Sequence, residues 1–103
     1  MIQEVIVASD RLQVIWSGKL EANDVQDIQE KLIEYIHTGY RAITIDLSAL
    51  DYIDYHGIGV LLAIHKVALQ HGIIIEIKGQ HGMVKELFRL IRLDKVFEIK
   101  QTN

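Results

Sequence analysis

Residues 73–77 read Ile-Ile-Ile-Glu-Ile. An apolar run this close to unbroken is the mark of a strand buried on both faces, the setting found in parallel sheets. Parallel neighbours cannot be joined by a tight turn and need a crossover, usually a helix. Helix-spaced segments lie on both sides of this run, so the chain is read as an α/β domain.

The remaining elements follow from the same two periodicities. Ile2, Val5, Ile6 and Val7 make a β-type run that ends at Ala8-Ser9-Asp10-Arg11, and Leu12 to Trp16 make a second, together a hairpin. Asn23 is placed to cap a helix over Asp24 to Thr38, whose apolar face is Val25, Ile28, Leu32, Tyr35 and Ile36. Gly39 ends it. Ala42 to Leu47 is a short strand, Ser48 to His56 a loop, and Gly57 to His71 a second helix closed by Gly72. After the Ile73–Ile77 strand, Lys78 to His81 turns into a third helix striped by Val84, Leu87, Phe88 and Ile91. Leu93-Asp94-Lys95 leads to a last strand, Val96 to Ile99. The expected order is ββαβαβαβ: a mixed sheet, hairpin plus parallel strands with right-handed crossovers, packed by three helices. Residues 1–103 are expected to form one domain.

Composition matters for what it removes. The 103 residues contain no Cys, which excludes disulfides, thiolate metal sites and Cys nucleophiles, and no Pro, which fits an uninterrupted series of elements. No apolar stretch approaches the roughly 20 residues that span a bilayer, and MIQEVIVASD lacks the basic start of a signal peptide. A cytoplasmic protein without direct membrane insertion is expected. A formal charge of −3 offers no electrostatic reason to bind nucleic acid.

The second helix stands apart. At 100° per residue, Ile58, Leu62, Leu69, Leu61, Ala68, Ile64, Val60 and Val67 cover an arc of about 220°, against the ~100° of a simple surface helix. Packing in a crease between the sheet and two neighbouring helices accounts for most of that width. An apolar rim offered to a protein partner by the first turn is the second reading.

Three segments carry a resemblance to a known family: Ser17-Gly18-Lys19-Leu20-Glu21, Ile45-Asp46-Leu47-Ser48-Ala49-Leu50, and Ile53-Asp54-Tyr55-His56-Gly57-Ile58-Gly59-Val60-Leu61-Leu62. In this order, with Leu93-Asp94-Lys95-Val96-Phe97 closing the pattern, the chain resembles a STAS domain from about residue 3 to 99. That domain is shared by bacterial anti-sigma factor antagonists and the tails of sulfate transporters. The resemblance implies a non-catalytic binding module of bacterial signalling and transcription regulation. Its partner would be an anti-sigma factor that is also a GHKL-type serine kinase, or another signalling protein. In the family the kinase phosphorylates a Ser or Thr directly after the loop Asp, and the partner lets go.

Here the position after Asp54 is Tyr55, followed by His56 and Gly57, so the phosphorylation loop is degenerate. A Tyr hydroxyl lies roughly 6 Å from its Cα and a Ser hydroxyl about 2.4 Å, by ordinary bond geometry. A serine kinase holding the loop closely should not reach the phenol, so the usual phospho-switch is expected to be absent. The expected partner surface is Tyr55, His56, Ile58 and Val60. Tyr55 is read either as an anchor in an interface or as a lid folded over the helix start, and Asp54 as the helix cap. The alternative function is a structural STAS subunit of a larger assembly, such as a lipid-transporter complex or a signalling scaffold.

Other constellations are weak. Ser48, His56 and Asp54 are near in sequence, but nearness supplies neither base geometry nor an oxyanion hole, so no enzyme is expected. No pair among the five His has the i, i+4 helical spacing of a zinc site, so no metal and no cofactor are expected. Asp24, Asp27, Glu30 and Glu34 make the first helix acidic outside. Lys85, Arg89 and Arg92 form a basic stripe on the third, able to steer an acidic partner or to support a homodimer.

Overall fold

The computed structural model describes residues 1–99; the expected single domain also takes in residues 100–103, which lie outside the described residues. The element order is β1 (Ile2–Ala8), β2 (Arg11–Leu20), a 3₁₀ turn (Ala22–Asp24), α1 (Val25–Ile36), β3 (Ala42–Ile53), α2 (Tyr55–Gln70), β4 (Ile74–Lys78), α3 (Gly82–Leu90), a second 3₁₀ turn (Leu93–Lys95) and β5 (Glu98–Ile99). The strands form one sheet in the order β1-β2-β3-β4-β5. β1 is antiparallel to β2, and every later neighbour is parallel. Consecutive parallel strands stepping in one direction by right-handed crossovers place all three helices on one face of the sheet.

Leu12, Val14 and Trp16 of β2, Ile43, Ile45 and Leu47 of β3, and Ile75 and Ile77 of β4 point to that face, and all are buried. Ile28, Leu32 and Ile36 of α1, Ile58, Leu61 and Ile64 of α2, and Val84 and Phe88 of α3 close over them in one continuous core. Trp16 is fully buried, and its indole N–H donates to Gln3 Oε1 at 2.7 Å. The opposite face is more polar. There Glu76 is buried beside Arg11, whose Nη1 lies 2.9 Å from Glu76 Oε1. The Ile73–Ile77 run is therefore not buried evenly on both faces: Ile75 and Ile77 enter the core while Ile74 is half exposed on the open face.

Several boundaries differ from the sequence reading, each for a local reason. A Glu21–Asp24 turn, not Asn23, starts the first helical segment: Glu21 N–H donates to Asp24 Oδ2 at 3.0 Å and Asp24 N–H to Glu21 O at 2.9 Å. β3 is twice the expected length, and what read as a loop from Ser48 is strand as far as Ile53. Its register against β2 explains the error. Ile15 to Ser17 is matched by Asp46 to Ala49, and Gly18 to Lys19 by Leu50 to Tyr52, so β3 twice carries one residue more than β2. At each irregularity the alternation slips, and the buried side chains run Leu47, Leu50, Ile53, every third residue. The basic stripe is also broken: α3 stops at Leu90, Arg92 lies beyond it in a left-handed conformation, and Arg89 pairs with Glu86.

Candidate partner-binding surface

β3 delivers the chain to its C-terminal end, where Asp54 takes an extended conformation and α2 begins without an intervening loop. Asp54 Oδ1 accepts the N–H of His56 at 2.9 Å and of Gly57 at 3.1 Å, so it caps the helix as expected of a residue in that place. Its Oδ2 lies 3.5 Å from His56 Nδ1. These contacts hold the carboxyl below its ordinary value, the Gly57 N–H acting most strongly and the His56 ring and N–H adding to it. Gly57 is required by packing: a Cβ there would lie 2.6 Å from Ile53 Cγ1 and 2.8 Å from Leu20 Cγ. The first turn of α2 is thus seated directly on the ends of β2 and β3.

That seat decides which way the expected partner residues face. Tyr55 is 81% exposed, so its ring is not a lid over the helix start, and His56 beside it is exposed too. Ile58 and Val60 do not belong to the surface. They are 6% and 1% exposed, because the stripe through residues 57, 58, 60, 61, 64 and 68 packs on the sheet. The apolar arc is correspondingly narrower than the wheel suggested: Leu62 and Leu69 face solvent.

The solvent face of α2 therefore carries Tyr55, Gly59, Leu62, Lys66 and Leu69, which at 100° per residue fall within about 80° of one another. Gly59 differs from Gly57. Nothing lies within 4 Å of the place where its Cβ would be, and its backbone is ordinary helix. A glycine inside a helix costs roughly 0.5–1 kcal/mol relative to alanine, and no contact among the described residues requires this one. Sequence reasoning placed Leu62 in the apolar arc and so missed it as a surface residue, whereas Gly59 falls, as read, on the side opposite the core stripe. The seven-residue spacing of Tyr55, Leu62 and Leu69 was the available signal, hidden because the core stripe beside it is apolar as well.

The other candidates separate. Ser48 Oγ donates to Asp46 Oδ1 at 2.7 Å, and Ser48 N–H to the same oxygen at 2.9 Å. Asp46 thus ties down Ser48 within β3, while Asp54 holds His56 at the start of α2. His37 and His71, at the C-terminal ends of α1 and α2, meet edge to face with ring centroids 4.7 Å apart. Among the described residues no group of three or more His, Asp or Glu is placed to hold a metal ion. None of the described helices is long and apolar enough to cross a membrane.

Residues 4–103 match the STAS domain family. The chain belongs to that family. Solved structures agree on the fold across nearly the whole STAS domain. A protein of Thermotoga maritima is similar at 20% identity with a TM-score of 0.90, over 97% of this chain and 86% of that one. An anti-sigma factor antagonist from Mycobacterium paratuberculosis matches at 19% identity and a TM-score of 0.87, over 98% and 86%. The Bacillus cell fate determinant SpoIIAA, in its phosphorylated form, matches at 16% identity and a TM-score of 0.76, over 97% and 92%.

Proposed function

We propose that this STAS domain is a non-catalytic protein-binding module of the anti-sigma factor antagonist type, working without the serine phospho-switch. The observation that supports it is the solvent face of α2, where an exposed Tyr55 on a capped, rigid turn is followed by Gly59 and Leu62. Tyr is favoured at interface hot spots, since it adds large contact area for few rotatable bonds. Gly59 leaves a shallow place one turn further on where a partner's backbone or side chain can approach closely. A partner seated there covers Tyr55, His56, Gly59 and Leu62. Its expected class is an anti-sigma factor with a GHKL-type serine kinase fold, or another signalling protein.

Phosphate on a Ser at the start of α2 would sit near free helix N–H groups and place about −1.5 to −2 charges in the contact surface. Tyr55 carries its hydroxyl outward instead, away from that position. Incubation with the kinase and ATP is expected to leave the intact mass unchanged; a phosphorylated species would overturn the loss of the switch.

The binding test is affinity capture with wild type and with Tyr55→Asp. Wild type is expected to retain a GHKL-type kinase and Tyr55→Asp to lose it. Retention by both forms would remove this face from the interface. Capture of a transporter's ATP-binding subunit would instead support the structural-subunit reading.

A further inference from the structure

We propose that β1 pairs with β1 of a second copy of this chain, antiparallel and centred on Val5, joining two sheets into one across a two-fold axis. Among the described residues β1 lies at the sheet edge with β2 as its only neighbour. It pairs through all seven residues without a register shift, and it contains no Pro and no Lys. Edge strands are ordinarily blunted by such residues, by bulges or by a covering element. This one instead leaves Ile2 65%, Ile6 49% and Val7 59% exposed.

The hydrogen-bonding frame selects the occupant. Ser9 and Asp10 make a two-residue turn closed by the Ala8–Arg11 pair. In such a hairpin the closing residues exchange hydrogen bonds, and bonded and non-bonded pairs then alternate. The Ala8, Ile6, Glu4 and Ile2 groups therefore point at β2, and the N–H and C=O groups of Val7, Val5 and Gln3 point outward. An antiparallel copy can use all three positions only in one register. There Val5 faces Val5 of the second copy and Gln3 faces Val7 of it, giving about six hydrogen bonds. In this register Glu4, the one charge on the strand, lies opposite Ile6 of the second copy and diagonal to its Glu4, so like charges are offset and not directly opposed. Ile2 and Ile6 of the two copies become diagonal neighbours on the open face. A second copy presents the same three outward positions in reverse order, so each strand fills the other's frame about a two-fold axis.

A single strand seam is smaller than the ~1,200 Å² of standard interfaces, so the dimer forms in a concentration-dependent way. It leaves the Tyr55 face of each copy free and presents two of them.

The test is sedimentation velocity from low micromolar to millimolar protein, with amide exchange measured at both limits. The wild-type mass is expected to rise from 11.8 kDa toward twice that value, and the amides of Gln3, Val5 and Val7 to slow only at high concentration. Val5→Pro removes an outward N–H and no bond to β2, so it should weaken association by about tenfold or more with the far-UV circular dichroism unchanged. If Val5→Pro, at a partly buried position packed on the core, perturbs that spectrum, Val7→Pro, at the exposed outward position, decides in its place. A wild type that stays monomeric at millimolar concentration, a dimer whose three amides still exchange fast, or a folded proline variant that associates like wild type overturns the proposal.

Discussion

At the scale of single residues, two glycines two positions apart have opposite reasons to exist. Gly57→Ala puts a methyl group within 2.6 Å of Ile53 and should cost about 1–3 kcal/mol, read as a lower urea midpoint. Gly59→Ala meets nothing and should raise stability by about 0.5–1 kcal/mol, while weakening partner binding if the open place on α2 is used. Asp54 has a pH signature. Its folded carboxyl titrates below the ordinary value of about 3.8, because N–H groups and the His56 ring favour its charged form. The stability it adds is therefore complete above the unfolded value and disappears as pH falls through the folded one. Asp54→Asn keeps a capping oxygen and loses the charge, so urea midpoints of the two proteins should differ at neutral pH and converge in acid. Asp54 was legible from sequence because capping depends on residues only two or three positions away. The burial of Ile58 and Val60 was not, since it depends on the seat formed by Leu20 and Ile53, distant in the chain or in another element.

At the scale of elements, β3 shows where periodicity misleads. Two added residues convert period two into a three-residue spacing of Leu47, Leu50 and Ile53, and the polar residues between them look like a loop. Strand pairing with β2 makes a firm prediction. Leu50→Ala, at a fully buried position, should destabilise by about 2–5 kcal/mol in chemical denaturation. Asp51→Ala, exposed next to it, should stay within roughly 0.5 kcal/mol. A true loop would show no such contrast. The helices were easier to see. Their apolar positions repeat along one local segment, as in α1, where Ile28, Leu32 and Ile36 are all buried as read. The breadth of the apolar arc of α2 was misjudged because Leu62 and Leu69 are apolar whether they face a core or a partner.

At the scale of the whole molecule, one core runs from Leu12 and Trp16 at one side to Phe88, Leu93 and Phe97 at the other. Unfolding should then be one cooperative event, with Trp16 fluorescence and far-UV circular dichroism giving coincident transitions in urea. Separate midpoints would mean that the α3 side opens independently of the hairpin side. The amino-acid sequence by itself determined the order of elements, the parallel sheet, the helix-capping Asp54 and, through an ordered set of short motifs, membership of the STAS family. These are local patterns, or patterns in series, and a chain carries them without folding. Only the tertiary structure decided that Ile58 and Val60 are core, that Tyr55, Gly59 and Leu62 share a solvent face, and that β1 lies at the edge of the sheet. Those properties arise when distant segments pack, because exposure belongs to a side chain's neighbours in space rather than to its neighbours in the chain.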